Sequence, residues 1–558
     1  MRTWNPVRAL TQLARNAPWI VMAVALHAIM IVTLGIWYVA KERPTRPEES
    51  ITLRAVAPRE VELPPEDIAP VEIVRTKIPD NVEEKLVDTT EPVYVPFQDE
   101  TTPTEEVGDP NSTALVDTGD SGGNTPAGVG PGRVKGQGVG PFQSRDPGRR
   151  RHGTVGGPEG GGRREEALVL HGMQWLARHQ LADGSWSAAR LHERCQANGG
   201  CAPEKAEFHD LYDEGTTALA VLTFLGAGYS HESKQYLVDP VDGKRYRIGE
   251  IVKSGLQWLV KRQHENGQFS KDKAFLYNEA LATMALAEAY GLSRNKYWKE
   301  PAQRGVDFLE RAQRPNPSGS GLWGWRYLPR SEVEDQRRSA SDGAGSKDLF
   351  DSDTSVTTWC VMALKSAELA ELTVDRASME GGYAFVNWVT ADNGLVGYID
   401  PKGAGATVTG KNDHFQYHPA VMSALGMCTR AFVRHDASDP VLELSARQVV
   451  QDLPTVRSDK LSVDYYYWYY GSLALNQFDG PDSPRKSGKY WGPWNKAMVD
   501  ALEGLADTTP KSCRNGGWIT PDRWAYAGGP VYSTAVAVLT LEVYYRYANA
   551  FVGSVRAR

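Results

Sequence analysis

The sequence predicts an all-α protein: an α/α toroid, in which two concentric rings hold about six helices each, preceded by one transmembrane helix and a disordered linker. Three observations support this prediction. One apolar run near the start is long enough to span a bilayer, the next part of the chain lacks apolar periodicity, and the remainder alternates amphipathic with apolar helix-like segments. Most of the 16 Trp and 24 Tyr lie in that last part, so the folded mass is C-terminal.

The apolar run occupies residues 18–40, PWIVMAVALHAIMIVTLGIWYVA. A run of this length crosses a bilayer as a helix, and Trp19 and Trp37 suit its two interfaces. No small-residue cleavage site follows, so we interpret the run as a permanent single-pass membrane anchor. The positive-inside rule places residues 1–17 in the cytoplasm and the rest of the chain in the periplasm. The bias comes from basic residues with no acidic residue among them: Arg2, Arg8 and Arg15.

Residues 41–165 are rich first in Pro and Glu and then in Gly, and this composition predicts a disordered linker. The folded domain should occupy residues 166–558. It should therefore be tethered to the membrane rather than held against it.

The anchor and the start of the linker resemble the N terminus of TonB-type energy transducers, through ALHAIMIVTLGIWY in the span and ITLRAVAPREVELPP after it. In that family a His in the span engages a proton-driven motor complex, and His27 stands at the matching place. The resemblance implies coupling to such a motor. The alternative is a neutral His27 that the helix tolerates or that serves an unrelated helix partner.

Two kinds of helix-like unit recur after residue 165. The first is amphipathic, ends in Gln or a polar turn, and continues with Gly and an aromatic residue, as in MQWLARHQLADGSWS and LQWLVKRQHENGQFS. The second is apolar almost all round and rich in small residues, as in YNEALATMALAEAYG and VYSTAVAVLTLEVYYRY. An apolar helix is buried, and an amphipathic one covers it. Six of each, in alternation, predict an inner and an outer ring.

The Gln…Gly-x-Trp units resemble the QW repeats of squalene and oxidosqualene cyclases and of their relatives, the protein prenyltransferase β subunits. The resemblance covers residues 166–558 and implies the toroid fold of those proteins. It implies activity less specifically, because one fold serves many functions.

Residues in the first turns of the six apolar helices should meet at one end of the toroid, because the inner helices of this fold run parallel. Carboxylates crowded there in a partly dry cavity would raise one another's pKa, which makes these residues candidate catalytic and binding groups. The alternative is that each acid only caps a helix N terminus. Alignment by the Ala- and Leu-rich runs gives six such residues: Glu214, Glu279, Asp353, His418, Tyr466 and Tyr532.

The resemblance to squalene cyclases implies a chemistry for Asp353. Those enzymes protonate an alkene with an Asp of a D-x-D-D motif, helped by a His, and residues 351–354, DSDT, match three of the four positions. The match implies that Asp353 is the proton donor, with Asp351 beside it and His418 as its helper. An aromatic run would stabilise a carbocation through its ring faces or, alternatively, pack against the outer ring. Its candidate residues are Tyr466 and Trp468.

The resemblance to prenyltransferases implies no zinc centre at this place. Their motif Asp-x-Cys-x-x-x-Trp matches Asp353 and Trp359, but Ser355 stands where the thiolate ligand should be, and a hydroxyl is a poor zinc ligand. We therefore assign no metal and no cofactor, and place Trp359 among the binding candidates. A different metal, bound by the first-turn carboxylates and His418, is the alternative.

Two of the five cysteines form a local pair. Cys195 and Cys201 flank a Gly-containing loop, RCQANGGCAP, and in an oxidising compartment a disulfide between them is expected. The alternative is a metal site that adds His192 and His209, although no common zinc spacing is matched.

Two functions are consistent with these patterns. The first is a terpenoid or polyprenyl cyclase-like enzyme that uses Asp353 as its general acid on a hydrophobic isoprenoid. The second is a non-catalytic binding or scaffold protein of the cell envelope, with envelope protein partners and coupling to a TonB-type motor. Placement outside the cytoplasm and the incomplete acid motif favour the second. A net charge of −7 gives no basic signature, so nucleic acid is not an expected partner.

Overall fold

The computed structural model describes residues 140–145, 163–195, 200–201, 208–271, 273–339, 351–401 and 414–551. The predicted anchor at 18–40, the residues before it and most of the predicted linker lie outside these ranges. Within the described part of the chain, no helix is both long enough and apolar enough to cross a membrane.

The described residues form an all-α fold, as the sequence predicts. Their only sheet is an antiparallel pair of short strands, β1 (Tyr236–Val238) and β2 (Arg245–Arg247). In chain order the helices are α1 (Arg163–His179), α2 (Asp213–Gly226), α3 (Ile248–Arg262), α4 (Leu276–Ser293), α5 (Lys296–Ala312), α6 (Arg330–Ser339), α7 (Thr354–Leu369), α8 (Arg376–Trp388), α9 (Val421–Arg434), α10 (Pro440–Val449), α11 (Tyr465–Asp479), α12 (Trp491–Leu505), α13 (Ala525–Leu541) and α14 (Val543–Arg546).

Six of these helices pack into a closed ring. Helices α2, α4, α7, α9, α11 and α13 each contact the next in this series, and α13 packs back against α2. They are the apolar segments of the sequence, and nearly all of their side chains are buried. Small residues let neighbouring helices approach closely, since a Cβ added at Gly471 of α11 would overlap the ring of Trp494 in α12.

Six amphipathic helices cover the ring from outside. Helix α1 packs on α13, α3 on α2, α5 on α4, α8 on α7 and α9, α10 on α9, and α12 on α11. Each therefore buries its apolar stripe against the ring and leaves its charged face to solvent.

The recurring Gln and Trp residues hold these layers together. The indole N–H of Trp186 donates to the carbonyl of Leu176 in α1 at 2.8 Å. The amide of Gln180 donates across its own turn to the carbonyl of Gly184 at 2.9 Å and to that of Ile251 in the next outer helix at 3.0 Å. The Gln and Trp residues of the repeat therefore stabilise the fold through hydrogen bonds within the protein. Equivalent bonds are made by Gln263, Gln313, Trp325 and Trp518.

Residues 140–145, inside the range that the composition assigns to the linker, form a 3₁₀ helix that packs on the domain. Phe142 and Arg145 in it are fully buried. The Arg145 guanidinium lies 2.7 Å from Glu288 of α4, and the same carboxylate lies 3.0 Å from Arg546. Burial opposes ionisation of Glu288, but the two arginines keep its pKa below the ordinary value. This segment therefore packs against the end of the ring near the C termini of α2 and α4.

Candidate active site

The first turns of the inner helices meet at one end of the ring, which we call the mouth. Asn278 at the start of α4 donates to the backbone just before α2 at 2.7 Å, and Ser355 in α7 hydrogen-bonds Tyr466 of α11 at 2.6 Å. The N–H of Tyr465 donates to Asp522, in the loop before α13, at 3.0 Å. Residues that are far apart in the chain thus share one site.

Asp353 caps α7 and is fully buried at the mouth. Its Oδ1 accepts the N–H of Val356 at 2.8 Å, which is the bond expected of an N-cap. In the described part of the chain its Oδ2 has no hydrogen-bond partner and lies 3.9 Å from Nε of Arg326. Burial raises the pKa of Asp353 to about 6, against the opposing charge of Arg326. Asp353 is therefore both a helix cap and a group that exchanges a proton near neutral pH.

Aromatic rings enclose this acid. The hydroxyl of Tyr327 bonds that of Tyr398, and the hydroxyl of Tyr277 reaches that of Tyr466 through Ser355. The guanidinium of Arg326 lies over two of these rings, 5.1 and 5.4 Å from their centroids. Burial, and to a smaller extent the charge of Asp353, raises the pKa of four tyrosines: Tyr277, Tyr327, Tyr398 and Tyr466.

Partly exposed aromatic side chains connect this cage to solvent. The ring centroid of Phe275 lies 5.3 Å from that of Tyr277 and 6.1 Å from that of Tyr327. Near α13, the ring centroid of Trp524 lies 5.9 Å from that of Tyr466. Aromatic side chains therefore extend from the surface of the mouth to the tyrosines near Asp353. The partly exposed members of this lining are Tyr212, Phe275, Tyr277, Tyr327 and Trp524.

The other two predicted catalytic residues lie outside the cage. Asp351 is half-buried and its Oδ1 lies 3.4 Å from Nη1 of Arg326. His418 is bound by Asp452, with 2.5 Å between Nδ1 and Oδ2. Burial lowers the pKa of His418, but the hydrogen bond and charge of Asp452, together with the charge of Asp464, more than offset it and leave that pKa raised.

The predicted pairing of Asp353 with His418 is corrected by these contacts. None of the hydrogen bonds and ion pairs of the described residues joins the two side chains. The reason is register: α9 begins only at Val421, so His418 precedes the helix. Its imidazole there faces the loop after α10 and stacks on Tyr467, with 4.9 Å between centroids.

Two buried carboxylates at the mouth were not predicted. Asp464 caps α11 through the N–H of Tyr467 at 2.9 Å, and Asp522 accepts the N–H of Tyr465. Burial and the neighbouring Asp464 raise the pKa of Asp522 to about 8. Asp464 stands one residue before its helix, as Asp353 does, and that shared position would have identified it. The Ala- and Leu-rich runs instead place Tyr466 in register with Asp353, so Asp464 was not predicted.

Glu214 and Glu279 are both buried, but each is held by structural partners. Glu214 accepts from Nε of Arg262 at 2.9 Å. Glu279 accepts the N–H groups of Phe269 and Ser270, in the turn before α4, at 2.7 and 3.1 Å. Burial raises the pKa of Glu279 to about 7. In other repeats a hydroxyl accepts the equivalent aromatic N–H, so Glu279 has a structural role. The hydroxyls belong to Thr217, Thr357 and Thr534.

The remaining aromatic candidates lie at different depths. Tyr532 is half-buried, with its hydroxyl 3.5 Å from Oδ2 of Asp522. Trp359 lies further along α7 and stacks on Tyr469 of α11, with 6.0 Å between centroids, so rings meet across the interior. Trp468 is fully buried and packs edge-on at 5.7 Å against the tyrosine three residues before it. Trp468 is therefore a buried packing residue of α11.

The structure contains no disulfide between Cys195 and Cys201, and none of the five cysteines forms one. The imidazole of His179 bridges the two thiols instead, with Nε2 3.2 Å from one sulfur and 3.4 Å from the other. The alternative partners His192 and His209 are exposed. Within the described residues, the only set of three or more metal-ligand side chains that converges is this thiol–imidazole group, joined by Cys513.

The mouth combines an acid, a cation and aromatic faces. A carboxyl with a pKa near 6 donates and accepts protons at neutral pH. Arg326 stabilises the carboxylate form, and aromatic faces stabilise positive charge beside them. These groups suit proton transfer to an apolar molecule.

No family model and no curated protein matches the chain. Solved structures match about two thirds of it. One, from Actinoplanes, is 15% identical over 68% of this chain and 99% of that chain, with a TM-score of 0.38. Another, the apo type II terpene cyclase MstE from Scytonema, is 14% identical over 68% and 97%, with a TM-score of 0.41. A third, the endo-β-1,4-glucanase CMCax from Acetobacter xylinum, is 13% identical over 69% and 99%, with a TM-score of 0.35.

Proposed function

We propose that the helical domain is an enzyme that protonates an apolar alkene, in the manner of a terpenoid cyclase, with Asp353 as general acid. The observation that carries the proposal is the buried Asp353 carboxyl, whose Oδ2 has no hydrogen-bond partner among the residues that the structure describes and whose neighbours include four tyrosines. The closed ring of six inner helices supports it, because this packing is expected of the α/α toroid of squalene cyclases.

In the proposed reaction the O–H bond at Oδ2 of Asp353 breaks, and its proton forms a C–H bond with the π electrons of a substrate alkene. Arg326 stabilises the carboxylate that remains. The resulting carbocation lies against the faces of rings such as Tyr277 and Tyr466. A second alkene of the same molecule closes a ring, and loss of a proton to water ends the sequence. The product is therefore an isomer of the substrate.

Turnover of squalene and of geranylgeraniol by the full chain in detergent, in D₂O, tests this reaction. Each product molecule should carry one deuterium, measured by mass spectrometry. Asp353→Asn keeps the helix cap but removes the acid, so we expect product formation to fall by about 100-fold or more. The matched control is Asp375→Asn, which changes the exposed N-cap of α8 and should turn over like the wild type. Equal turnover in Asp353→Asn would contradict the proposed acid.

A second candidate is binding of the same class of ligand without turnover, as a scaffold protein of the envelope. Two observations favour it: His418 is bound by Asp452 rather than by Asp353, and Trp359 and Tyr469 meet across the interior. In that case no product forms in the same assay. The isoprenoid should still raise the melting temperature of the wild type, by mass action.

We propose further that residues 18–40 anchor this domain to the outer side of the membrane and that His27 couples it to a proton-driven motor. The apolar run and its basic flank support the anchor. Extraction at alkaline pH should leave the full chain in the membrane fraction, and His27→Ala should impair function in cells but not turnover in detergent. Loss of both would point to a folding defect instead.

A further inference from the structure

Four side chains from the first and last repeats converge at one point beside the ring. They are His179 at the end of α1, Cys195 and Cys201 in the loop after it, and Cys513 in the turn between α12 and α13. Their ligand atoms all lie within 4.8 Å of one another. Nε2 of His179 is 3.2 and 3.4 Å from the first two sulfurs, and the sulfurs of Cys201 and Cys513 are 3.5 Å apart.

We propose that these four residues bind one Zn²⁺ ion, which fastens the first repeat to the last where the ring closes. Three Cys and one His are a common structural zinc donor set, and Zn–S and Zn–N bonds of about 2.3 and 2.0 Å place tetrahedral ligand atoms roughly 3.5–3.8 Å apart. The observed separations lie close to this spacing. Four protein ligands complete the tetrahedron, so the site is structural rather than catalytic.

The surroundings of His179 prepare it as a ligand. Its Nδ1 lies 2.8 Å from the carbonyl oxygen of Trp175, and a carbonyl only accepts, so Nδ1 carries the proton and the lone pair of Nε2 faces the sulfurs. The imidazole also stacks on the ring of Trp175, with 4.0 Å between centroids. Such a second-shell bond fixes the tautomer and orientation of a metal-binding His.

The Cys513 turn is positioned from the same helix. Nη2 of Arg178 donates to the carbonyls of Cys513 and Asn515, at 3.0 and 2.6 Å. The guanidinium is buried and its Nη1 pairs with Asp239 at 2.6 Å. Each cysteine gives up its thiol proton to solvent on metal binding, so the bound site carries one net negative charge. The buried Arg178, held by Asp239, fixes the backbone of the Cys513 turn.

A disulfide accounts for this group less well. The S–S bond is about 2.05 Å long, well below the separation of Cys201 and Cys513, and three thiols leave one unpaired. A disulfide would also give no ligand to the Nε2 lone pair of His179, which faces the sulfurs. The cluster fits one metal ion that uses all four side chains.

Metal content and cobalt spectroscopy of the full chain test the proposal without relying on activity. Protein purified without chelator should contain about one zinc per chain by mass spectrometry of the metal. Replacement by Co²⁺ should give the intense visible absorption of tetrahedral cobalt and the near-ultraviolet charge-transfer band of thiolate ligands. Zinc-free protein after supply of zinc salt, a different bound metal, or octahedral cobalt spectra would each overturn the assignment.

Two cysteine variants distinguish the proposed zinc ligands from other buried cysteines. Cys513→Ala, at the least buried ligand, should lose most of the zinc and lower the melting temperature by about 5 °C or more. Cys428→Ala, which changes a buried cysteine of α9 outside the cluster, should keep one zinc. Full zinc in Cys513→Ala, or a disulfide among the three cysteines detected by alkylation and mass spectrometry of wild-type protein, would overturn the proposal.

Discussion

Asp353 joins a structural and a chemical role in one carboxyl group. Its Oδ1 accepts a backbone N–H at the N terminus of α7, while its Oδ2 has no hydrogen-bond partner among the described residues and lies 3.9 Å from Nε of Arg326. Burial without a close counterion is what raises its pKa to about 6. The same burial makes the residue costly to ionise, so its effect on stability depends on pH.

We predict that Asp353→Asn gains stability relative to the wild type as the pH rises. The folded pKa of about 6 lies above the unfolded value of 3.8. The contribution of the wild-type carboxyl is therefore fully present below pH 3.8 and is lost as the pH rises through 6. Since one pKa unit is worth about 1.4 kcal/mol, the relative gain in the free energy of unfolding between pH 4 and pH 8 is about 3 kcal/mol. Urea unfolding at several pH values measures it.

The control for this prediction is Asp375→Asn, in the exposed N-cap of α8. Parallel pH curves for the wild type and Asp353→Asn would show that burial does not disfavour the charge. Other raised carboxyls, such as Glu279 and Asp522, titrate equally in both proteins and cancel in the comparison.

Single-residue predictions from the sequence succeed where a residue acts through its own helix. The place of Asp353 at a helix start follows from local pattern, and the structure shows the cap. The partner of His418 does not follow, because Asp452 comes from a loop that no periodicity describes. The absence of a disulfide between Cys195 and Cys201 does not follow either. These thiols contact His179 and Cys513, and Cys513 is more than 300 residues away in the sequence.

At the scale of elements, the contact between an inner helix and its outer neighbour depends on small residues. Gly471 in α11 lies directly against the indole of Trp494 in α12, and the indole N–H donates to Ser472 at 2.9 Å. The two helices therefore approach as closely as a backbone and a ring permit. Any added side-chain atom must move one of them.

We predict that Gly471→Ala destabilises the protein by about 1–3 kcal/mol, because the new methyl group overlaps the Trp494 ring in a packed interior. Gly504→Ala is the matched control: it lies exposed in α12 with nothing within 4 Å of an added Cβ. That change should stabilise the helix by roughly 0.5–1 kcal/mol. Thermal unfolding of both variants measures the difference, and equal melting temperatures would contradict the close approach.

Apolar periodicity in the sequence predicts which segments form buried or outer helices. It predicts the first and last residues of those helices less accurately. The alternation of apolar and amphipathic segments predicts which helices are buried, since α2 and α4 are apolar on every side and α5 is not. Helix α9 starts at Val421, a few residues later than expected, so His418 lies in the loop before the helix and its imidazole binds Asp452 rather than Asp353. Register errors of this size leave the fold intact but change which side chains share a site.

At the scale of the whole molecule, the ring is held at two places that the repeat pattern does not describe. One is the seam between the first and last repeats, where α1 packs on α13 and the His179 group lies. The other is the end on which residues 140–145 pack, where Glu288 binds Arg145 and Arg546. Both depend on residues distant in sequence, so composition and periodicity give no signal for them.

We predict that Arg145→Ala destabilises the protein by about 3 kcal/mol or more. The change removes one of the two arginines that pair with Glu288, so the buried carboxylate keeps a single close counterion. Arg164→Ala is the control: its ion pairs with Asp500 and Glu503 are exposed, and their loss should change stability by less than about 1 kcal/mol. Urea unfolding of the full chain distinguishes the two. Equal effects would mean that residues 140–145 contribute nothing to the fold.

Because α13 packs back against α2, the number of helix pairs in this ring is fixed. An open solenoid gains or loses one unit at its end and only has to cap the new terminus. Here a deletion or duplication of one helix pair would leave two apolar faces that no longer meet. Loops and the lining of the opening can therefore change without disturbing ring closure, whereas a whole added helix pair would prevent it.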